Sequence, residues 1–414
     1  MDESSIGVRI RQFRGKALTQ RQLADQAGVS VDLVRKLEQG GRQTASIASL
    51  QKIARALDVD IADLIGKRHG VPSANPGAGI VAIRRALTPV DDLLGETKEE
   101  AAVSLDDGRR AVEYAWGAYW SGRYELLTSI LPPGLTQLRA TVHAARNGSV
   151  APANELLARM YWVTGCTLVH LGQTDPAFLA IREALAAAEL GNDPLLLATI
   201  RGSVAWQLLI QGRYDESRRG PVACHLLKQA RYDEARGGAF NAAATLEPSG
   251  EVTPSHLSAY GSLVLQGATA AGRAQDVHDA LSLVETASEV ALRIGADRQD
   301  YETYFGPSQV VMQTVDVNVS SERYPEALAA AKDMPVNGSL PQASRARHLA
   351  DTAVALTRTG RHQRALDALL TAERVGGADW LKYQTLPRHI VTELLDHDRK
   401  VPLRAFARRI GVNT

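Results

Sequence analysis

Residues 19–40 read TQRQLADQAGVSVDLVRKLEQG, and this stretch predicts two short helices joined by a tight turn. Thr19 and Gln22 stand at the spacing of a capping box, in which each side chain satisfies a free backbone N–H of the other residue at the start of a helix. Gly28 is placed to end the first helix, because glycine adopts the left-handed conformation at little cost. Ser30 can then cap the second helix.

The same amphipathic pattern surrounds this two-helix unit and fills the first 66 residues. Apolar residues recur at helical spacing in five segments, at about residues 6–14, 20–27, 31–39, 47–57 and 61–65. Eight apolar side chains of these segments are predicted to form one small core: Ala24, Val29, Val34, Leu37, Leu50, Ile53, Leu57 and Leu64. Residues 1–66 are therefore predicted to be a five-helix domain.

A stretch rich in glycine and proline, KRHGVPSANPGAG, follows at residues 67–79 and predicts a linker, because it has almost no side chain suited to a core. Charge is divided unevenly along the chain. The whole protein has a net charge of +1, yet residues 1–68 carry 12 Lys and Arg against 8 Asp and Glu. A basic head on a mildly acidic body is typical of a nucleic-acid reader attached to a second domain.

Residues 80–414 show apolar residues at helical spacing, interrupted by short polar turns and by no strand-like pattern. Aromatic residues are only 5% of the chain, which favours an all-α fold. Six similar turns begin at Gly122, Gly172, Gly212, Gly272, Glu322 and Gly360. Their spacing predicts helix hairpins stacked into an α-solenoid, each covering its neighbour's apolar face. A set of ordinary helix turns without a repeat is the open alternative.

One segment departs from this pattern. The tripeptide Tyr-Asp-Glu at residues 214–216 recurs at residues 232–234, which is too close for two full hairpins. Two glycine-containing pairs, at residues 220–221 and 237–238, also interrupt the helical spacing. A distorted or inserted segment is therefore predicted around residues 218–252.

Residues 5–65 as a whole resemble the helix-turn-helix domain of the XRE, or lambda-repressor-like, family. The resemblance rests on Gln20 at the start of the scaffolding helix, Ala24 where the two helices touch, Gly28 in the turn, and the inward positions of Val34 and Leu37. It implies that the second helix of the unit enters the major groove of double-stranded DNA.

Individual roles follow from this resemblance, position by position. Val31, Asp32 and Lys36 fall where base edges are contacted, with Arg35 beside them, and Lys36 is the residue expected to read guanine. The residues expected to hold phosphate are Gln20, Ser30, Arg21, Arg42 and Lys52. Two alternative interpretations of this surface do not involve DNA. In the first, the exposed charges serve only to keep a small domain soluble; in the second, the surface binds a protein.

Glu38 matches a family acid that pairs with an arginine of the first helix. The simplest partner in this sequence is Arg14. The turn at residues 15–17 is one residue shorter than the usual family pattern. The assignment of Arg14 depends on how the first helix aligns with that pattern, so the shorter turn leaves this assignment open.

The complete layout resembles actinobacterial regulators with a tetratricopeptide-like (TPR-like) body and, more distantly, the quorum-sensing peptide receptors of Gram-positive bacteria. Residues 304–308, 344–349 and 403–411 carry the resemblance to the actinobacterial group. The resemblance implies a short peptide or a small molecule bound on the concave face of the array. The candidate ligand-binding residues are polar side chains within apolar helices: Arg159, Arg201, Gln207, Tyr260, Gln266, Gln309, Asn318 and Arg347.

A break is predicted beside these candidates. Gly306 and Pro307 are expected to interrupt or cap a helix next to Tyr304 and Phe305, and so to shape a pocket. For most of the candidate residues taken singly, a simple surface or helix-packing role is the competing interpretation.

Other function classes are disfavoured by the motifs. The sequence has no glycine-rich phosphate loop, no His-Glu-x-x-His, no Gly-x-Ser-x-Gly and no cysteine pair at metal spacing, so we expect no enzyme, cofactor or metal site. Cys166 lies in an apolar run and is expected to be buried packing. The alternative function is a protein-interaction scaffold, in which the array binds a partner protein and the head only tethers it to DNA.

Location and assembly are expected from general features. No apolar run approaches the roughly 18 residues of a membrane span, so membrane insertion is not expected. Two cysteines and an N-terminus without an apolar signal core favour the cytoplasm. A homodimer is expected because family operators are commonly paired half-sites, with the dimer contact in the body.

Overall fold

The computed structural model describes residues 6–15, 18–42, 45–57, 59, 64, 76–89, 101–210, 252–273, 275–397 and 401–412. Over these residues the chain is all-α as predicted, with eighteen α-helices and one small hairpin. None of the described helices is long and apolar enough to cross a membrane. The irregular segment predicted around residues 218–252 lies outside the described residues, except for its last residue.

Four helices of the head have nearly the predicted limits: α1 (Ile6–Arg14), α2 (Gln20–Ala27), α3 (Val31–Glu38) and α4 (Ile47–Ala56). Of the predicted fifth segment, only Leu64 is described, and it is helical and buried. Six of the eight predicted core residues are buried, while Val29 and Leu57 are half-buried against the same core. The helical head is therefore confirmed over the described residues.

The head core also depends on a close backbone approach that periodicity does not reveal. A Cβ on Gly7 would lie 1.8 Å from the backbone oxygen of Leu37. The first helix therefore packs directly against the end of α3, and only glycine fits at that contact.

The linker predicted at residues 67–79 is too long at its C-terminal end. Helix α5 (Pro76–Leu87) begins inside it, and residues 67–75 lie outside the described residues. Proline is favourable in the first turn of a helix. A Cβ on Gly79 would lie 2.6 Å from the side chain of Thr128, so this glycine allows α5 to pack closely on the body.

Thirteen further helices form the rest of the described body: α6 (Leu105–Trp120), α7 (Tyr124–Ala144), α8 (Val150–His170), α9 (Thr174–Glu189), α10 (Pro194–Ile210), α11 (Pro254–Arg273), α12 (Val277–Ile294), α13 (Pro307–Ser320), α14 (Tyr324–Ala330), α15 (Gln342–Arg358), α16 (His362–Lys382), α17 (Thr385–His397) and α18 (Val401–Arg409). The 3₁₀ turns Asn147–Ser149 and Ala331–Asp333 complete the described helical elements. Consecutive helices pack as hairpins, with α8 on α9, α11 on α12 and α15 on α16.

Five of the hairpin turns share one geometry. The second residue after the first helix is left-handed, with φ between 60° and 75°, at Gly122, Gly172, Gln275, Glu322 and Gly360. Its N–H bonds three residues back and the next N–H bonds five residues back, as from Gly122 to Tyr119 at 2.9 Å and from Arg123 to Ala118 at 3.0 Å. This paired bonding closes the free carbonyls at the end of each first helix. The body is therefore a helical-repeat array.

The turn predicted to begin at Gly272 was misplaced. Gly272 lies inside α11, and the left-handed residue is Gln275, three positions later. The prediction used glycine as the marker of the left-handed residue, but here a glutamine takes the left-handed position. The turn predicted at Gly212 lies outside the described residues.

The array curls so that its first hairpin reaches a late helix. A Cβ on Gly122 would lie 3.1 Å from the side chain of Trp380 in α16. The rings of Tyr124 and Tyr383 meet edge to face with centroids 5.6 Å apart. Elements far apart in sequence therefore face one another across the interior.

A short antiparallel hairpin, β1 (Arg298–Asp300) and β2 (Thr303–Phe305), contradicts the prediction that the body has no strand. Its two turn residues, Tyr301 and Glu302, have φ of 48° and 58°. Such turns usually contain glycine or asparagine, so their usual sequence signal is missing here. The predicted break is confirmed, because Gly306 caps α13 and Pro307 is its first residue.

Candidate functional site

The two central helices of the head begin and end at the capping residues that the sequence predicts. The Thr19 hydroxyl accepts from the Gln22 N–H at 3.2 Å, and the Gln22 side-chain oxygen accepts from the Thr19 N–H at 2.9 Å. Gly28 is left-handed with φ of 60°, and the Ser30 hydroxyl accepts from the Leu33 N–H at 3.2 Å. These local bonds set the angle at which α3 leaves α2.

Helix α3 divides sharply into a buried side and an exposed side. Val34 and Leu37 are buried in the head core. The side chains of Arg35 and Lys36 are 55% and 56% exposed, and Val31 is 40% exposed. The predicted base-contacting residues therefore share an open surface supported by a rigid core.

Asp32 is bonded to both cations of this surface. Its carboxylate accepts from Arg35 at 2.8 Å and lies 2.8 Å from the Lys36 ammonium. The hydrogen bond from Lys36, followed by the one from Arg35, lowers the pKa of Asp32 below its usual value. The spacing of three and four residues is the one at which helical side chains meet. The three groups form a paired set, and DNA would have to share or break these pairs.

The residues predicted to contact phosphate fall into two groups, those that make bonds within the head and those that are exposed. Gln20 donates to the Glu38 carboxylate at 2.7 Å, and Ser30 caps α3, so both have structural roles as well. Arg21 and Arg42 are exposed, and no acid among the described residues pairs with either. These two arginines offer the free positive charge that phosphate attracts.

The predicted pairing of Arg14 with Glu38 is confirmed. Arg14 donates from Nε at 2.7 Å and from Nη2 at 2.9 Å to the two carboxylate oxygens. The hydrogen bond to Glu38 raises the pKa of Arg14. Glu38 is buried and also accepts from Gln20, so one carboxylate joins α1, α2 and α3.

The head also contacts the body, and the contacts involve the α4 region. The backbone oxygen of Ala45 accepts from Arg358 at 2.9 Å and lies 3.0 Å from Nε2 of His389. Ser46 and Ser49 donate to the Glu322 carboxylate. The α3 side chains stay exposed in this arrangement, so the surface available to DNA is not the surface held by these bonds.

In the body, the predicted amide residues carry oxygen atoms that are buried and without a hydrogen-bond partner among the described residues. This holds for the side-chain oxygens of Gln207, Gln266, Gln309 and Asn318, and for the nitrogen of Gln207 as well. A buried amide that makes no hydrogen bond costs folding free energy. The oxygens could accept a hydrogen bond from a bound ligand, and the Gln207 nitrogen could donate one.

The predicted arginines are already paired. Arg159 bonds Glu302 and lies 3.8 Å from Asp193, while Arg201 lies 3.7 Å from Glu189. Arg347 bonds Asp316 and Asp351, each at 3.0 Å. The remaining candidate, Tyr260, is buried in the core formed with α11 and α12.

The sequence did not predict a cavity that lies in the described body. It has a volume of about 370 Å³ and lies between α6, the β-hairpin and the start of α15. Glu113, Trp116, Trp120 and Glu302 line it, together with Tyr304, which the sequence did associate with a pocket. The aromatic run at residues 114–120, in a chain with few aromatics, is the signal that could have indicated it.

Two observations concern metal and thiol chemistry among the described residues. No three His, Cys, Asp or Glu side chains of the described ranges come together as a metal site. Cys166 is buried as predicted, and burial raises the pKa of its thiol to about 12. A thiol held protonated in this way is a poor nucleophile.

Comparisons with known proteins bear mainly on the head. A helix-turn-helix family model matches residues 10–64. A solved structure of the apo form of the competence regulator ComR from Streptococcus vestibularis aligns with 84% of this chain and 98% of that chain, at 14% sequence identity and a TM-score of 0.25. No curated protein sequence matches the chain.

Proposed function

Because residues 10–64 form a helix-turn-helix domain of the XRE type, we propose that this chain is a sequence-specific DNA-binding transcription regulator. The observation that carries the proposal is the division of α3. Val34 and Leu37 anchor the helix in the head core, while Val31, Arg35 and Lys36 stay exposed. A helix of this kind fits the major groove of DNA, about 12 Å wide, with its exposed side chains at the base edges.

Each exposed side chain has a specific task in this proposal. Lys36 donates to the O6 and N7 acceptors of guanine, and the Val31 methyl groups contact a thymine methyl. Arg21 and Arg42 hold phosphate on either side, supported by Ser30 and Gln20. Asp32 keeps Arg35 and Lys36 in place before binding and accepts from cytosine in the groove.

The protein acts as a homodimer in this proposal. A single recognition helix reads few base pairs, and two heads on one assembly bind far more tightly because the second binding event becomes intramolecular. The half-sites would be centred one helical turn, about 34 Å, apart. The dimer contact belongs to the helical body, and the protein works in the cytoplasm.

The body supplies regulation by a short peptide or a small molecule. The unpartnered buried oxygens of Gln207, Gln266, Gln309 and Asn318 support this step, because they require donors such as peptide N–H groups. The contacts of Arg358 and His389 with Ala45 connect the body to the head, so a movement of α15 or α17 can be transmitted to the head. A ligand that shifts these helices would change the position of the head relative to the array.

The test is binding of the full chain to DNA from its own upstream region, compared with random DNA, at two salt concentrations. We expect preference for the upstream DNA and weaker binding at higher salt. Lys36→Ala should lose about 1–3 kcal/mol on the preferred site and little on random DNA. Arg42→Ala should weaken both about equally and lower the salt slope by about one.

Lys332→Ala is the matched control, because Lys332 is an exposed lysine of the body. It should bind like wild type. If Lys36→Ala and wild type show the same preference, the assignment of α3 is wrong. The scaffold function would be supported instead if the chain showed no preference for the upstream DNA over random DNA and bound a stable protein partner.

A further inference from the structure

The cavity between α6 and the β-hairpin has the size and the walls of a small-molecule site. Its volume of about 370 Å³ lies in the range of about 300–1,000 Å³ that such sites occupy. Two acidic residues line it, Glu113 and Glu302, and no lysine, arginine or histidine does. The wall therefore has a negative balance.

Three aromatic rings form one side of the cavity. The rings of Trp116 and Trp120 are nearly parallel, with an interplanar angle of 26° and centroids 6.4 Å apart. Tyr304 stands edge to face against Trp120, at 78° and 5.1 Å. Aromatic faces attract organic cations, and tryptophan does so most strongly.

Two of these rings are held by their own hydrogen bonds. Trp120 donates from Nε1 to the backbone oxygen of Glu302 at 3.2 Å, and the Tyr304 hydroxyl donates to the Gln299 side chain at 3.0 Å. Both bonds tie the aromatic wall to the hairpin. The rings are therefore arranged before any ligand arrives, which lowers the entropic cost of binding.

One polar atom of the wall has no partner. Trp116 is only 2% exposed, and its indole Nε1 makes no hydrogen bond within the described residues. A buried donor in this condition is unfavourable unless a ligand or a water accepts from it. This atom is not exposed to the cavity, so the Trp116 ring would have to shift before a ligand oxygen could accept from it.

The two carboxylates differ in their partners. Glu302 is already bonded by Arg159, so most of its charge is compensated. Glu113 is exposed at the cavity edge and has no ion pair among the described residues. Glu113 is thus the carboxylate available to a positively charged ligand.

We propose that this cavity binds a small organic ammonium group, with the Trp120 and Tyr304 rings against the cation, Trp116 packed beside Trp120, and Glu113 as the counter-ion. This inference goes beyond the proposed function, because the cavity is a site separate from the buried amide oxygens of Gln207, Gln266, Gln309 and Asn318. The ammonium group can belong to a free amine or to a lysine side chain of a peptide.

The experiment titrates the full chain by calorimetry with choline, with an uncharged isostere in which carbon replaces the nitrogen, and with Nα-acetyl-lysine methylamide. We expect choline to bind and its isostere to bind at least tenfold more weakly, since only the cation is attracted by the rings and by Glu113. Tighter binding of the lysine derivative than of choline would assign the ammonium group to a peptide; the reverse order would assign it to a free amine.

Variants locate the site. Glu113→Gln should weaken choline binding about fivefold, and Trp120→Leu about tenfold. Glu285→Gln, which changes an exposed glutamate of α12, should bind choline like wild type. Unchanged affinity in both Glu113→Gln and Trp120→Leu would overturn the inference, as would equal binding of the isostere or no binding of either cation.

Binding to DNA is measured on the same samples with and without choline, so that the two proposals fail separately. If DNA binds specifically but no cation binds, this inference is wrong and the assignment of the head stands. If choline binds in the cavity and leaves DNA affinity unchanged, this inference stands and regulation through the cavity is wrong.

Discussion

His389 of the helical body lies with its Nε2 atom 3.0 Å from the backbone oxygen of Ala45 in the head. Arg358 donates to the same oxygen at 2.9 Å and also pairs with Glu393. Two body side chains from α15 and α17 therefore hold one carbonyl of the head. The imidazole is buried at this junction, so its protonation state is linked to the position of the head.

Acidification should weaken the docking of the head. Burial lowers the pKa of His389 from 6.5 to about 4; the hydrogen bond with the Ala45 oxygen acts in the opposite direction, and the positive charge of Arg358 adds to the lowering. An undocked, exposed imidazole takes up a proton below about pH 6.5, whereas the docked one stays neutral. Docking stability is therefore present above this pH and is lost as the pH falls toward 4, by about 2 kcal/mol at pH 5.

Hydrogen exchange of residues 45–57 in the full chain measures this effect, after correction for the intrinsic pH dependence of exchange. Protection at pH 5 should be lower than at pH 7. His389→Asn should remove most of the difference, because asparagine does not titrate. A pH effect of equal size in that variant would assign it to other groups.

Removing Arg14 should destabilise the head. Arg14→Ala leaves the buried Glu38 carboxylate without its cation, and breaking a buried pair from one side costs about 3 kcal/mol. Hydrogen exchange in α1 and α3 should rise accordingly. Arg11→Ala is the control on the same helix, since Arg11 is exposed and has no acidic partner among the described residues. Equal protection in the two variants would contradict this role of the pair.

Neutralising Asp32 should make DNA binding stronger and less selective. In Asp32→Asn, Arg35 and Lys36 lose their shared carboxylate and become free to contact phosphate. Affinity for random DNA should increase, and the salt slope should grow by about one phosphate contact. Asp25→Asn, at an exposed acid of α2, is the comparison. The measurement is a fluorescence anisotropy titration of random DNA at several salt concentrations. If Asp32→Asn binds with the same affinity and salt slope as Asp25→Asn and wild type, the prediction is wrong.

Replacing a buried amide that lacks partners should stabilise the body. Gln207 is fully buried, and neither of its side-chain polar atoms has a hydrogen-bond partner among the described residues. Gln207→Leu should therefore raise the free energy of unfolding by about 1 kcal/mol and abolish any response to a bound peptide. Gln313 is also buried, but its amide donates to Thr269 and Asp316, so Gln313→Leu should lower stability. Thermal unfolding distinguishes the two signs.

Two glycine-to-alanine changes should have opposite effects. A Cβ on Gly261 would lie 2.1 Å from the Phe305 ring, so Gly261→Ala should displace the hairpin and destabilise the protein by about 1–3 kcal/mol. A Cβ on Gly117 of α6 meets nothing within 4 Å, so Gly117→Ala should stabilise the helix by up to about 1 kcal/mol. A melting temperature that moves the same way in both would refute the packing argument.

Features that depend on neighbours in sequence were predictable. The limits of α2 and α3 follow from Thr19, Gln22, Gly28 and Ser30, because capping bonds join residues three or four positions apart. The exposed side of α3 follows from helical periodicity. The Arg14 partner of Glu38 came from the family resemblance, and the structure confirms it.

The tertiary structure decided what depends on residues distant in sequence. Gly272 marks a turn by its type, yet it lies within α11, and the left-handed residue is Gln275. The hairpin forms without a turn glycine, and its Phe305 packs closely on Gly261 of α11. The cavity joins Trp116 to Tyr304, and docking joins Ala45 to His389. Such pairings arise from the way the array curls, and periodicity along the chain contains no information about which distant faces will meet.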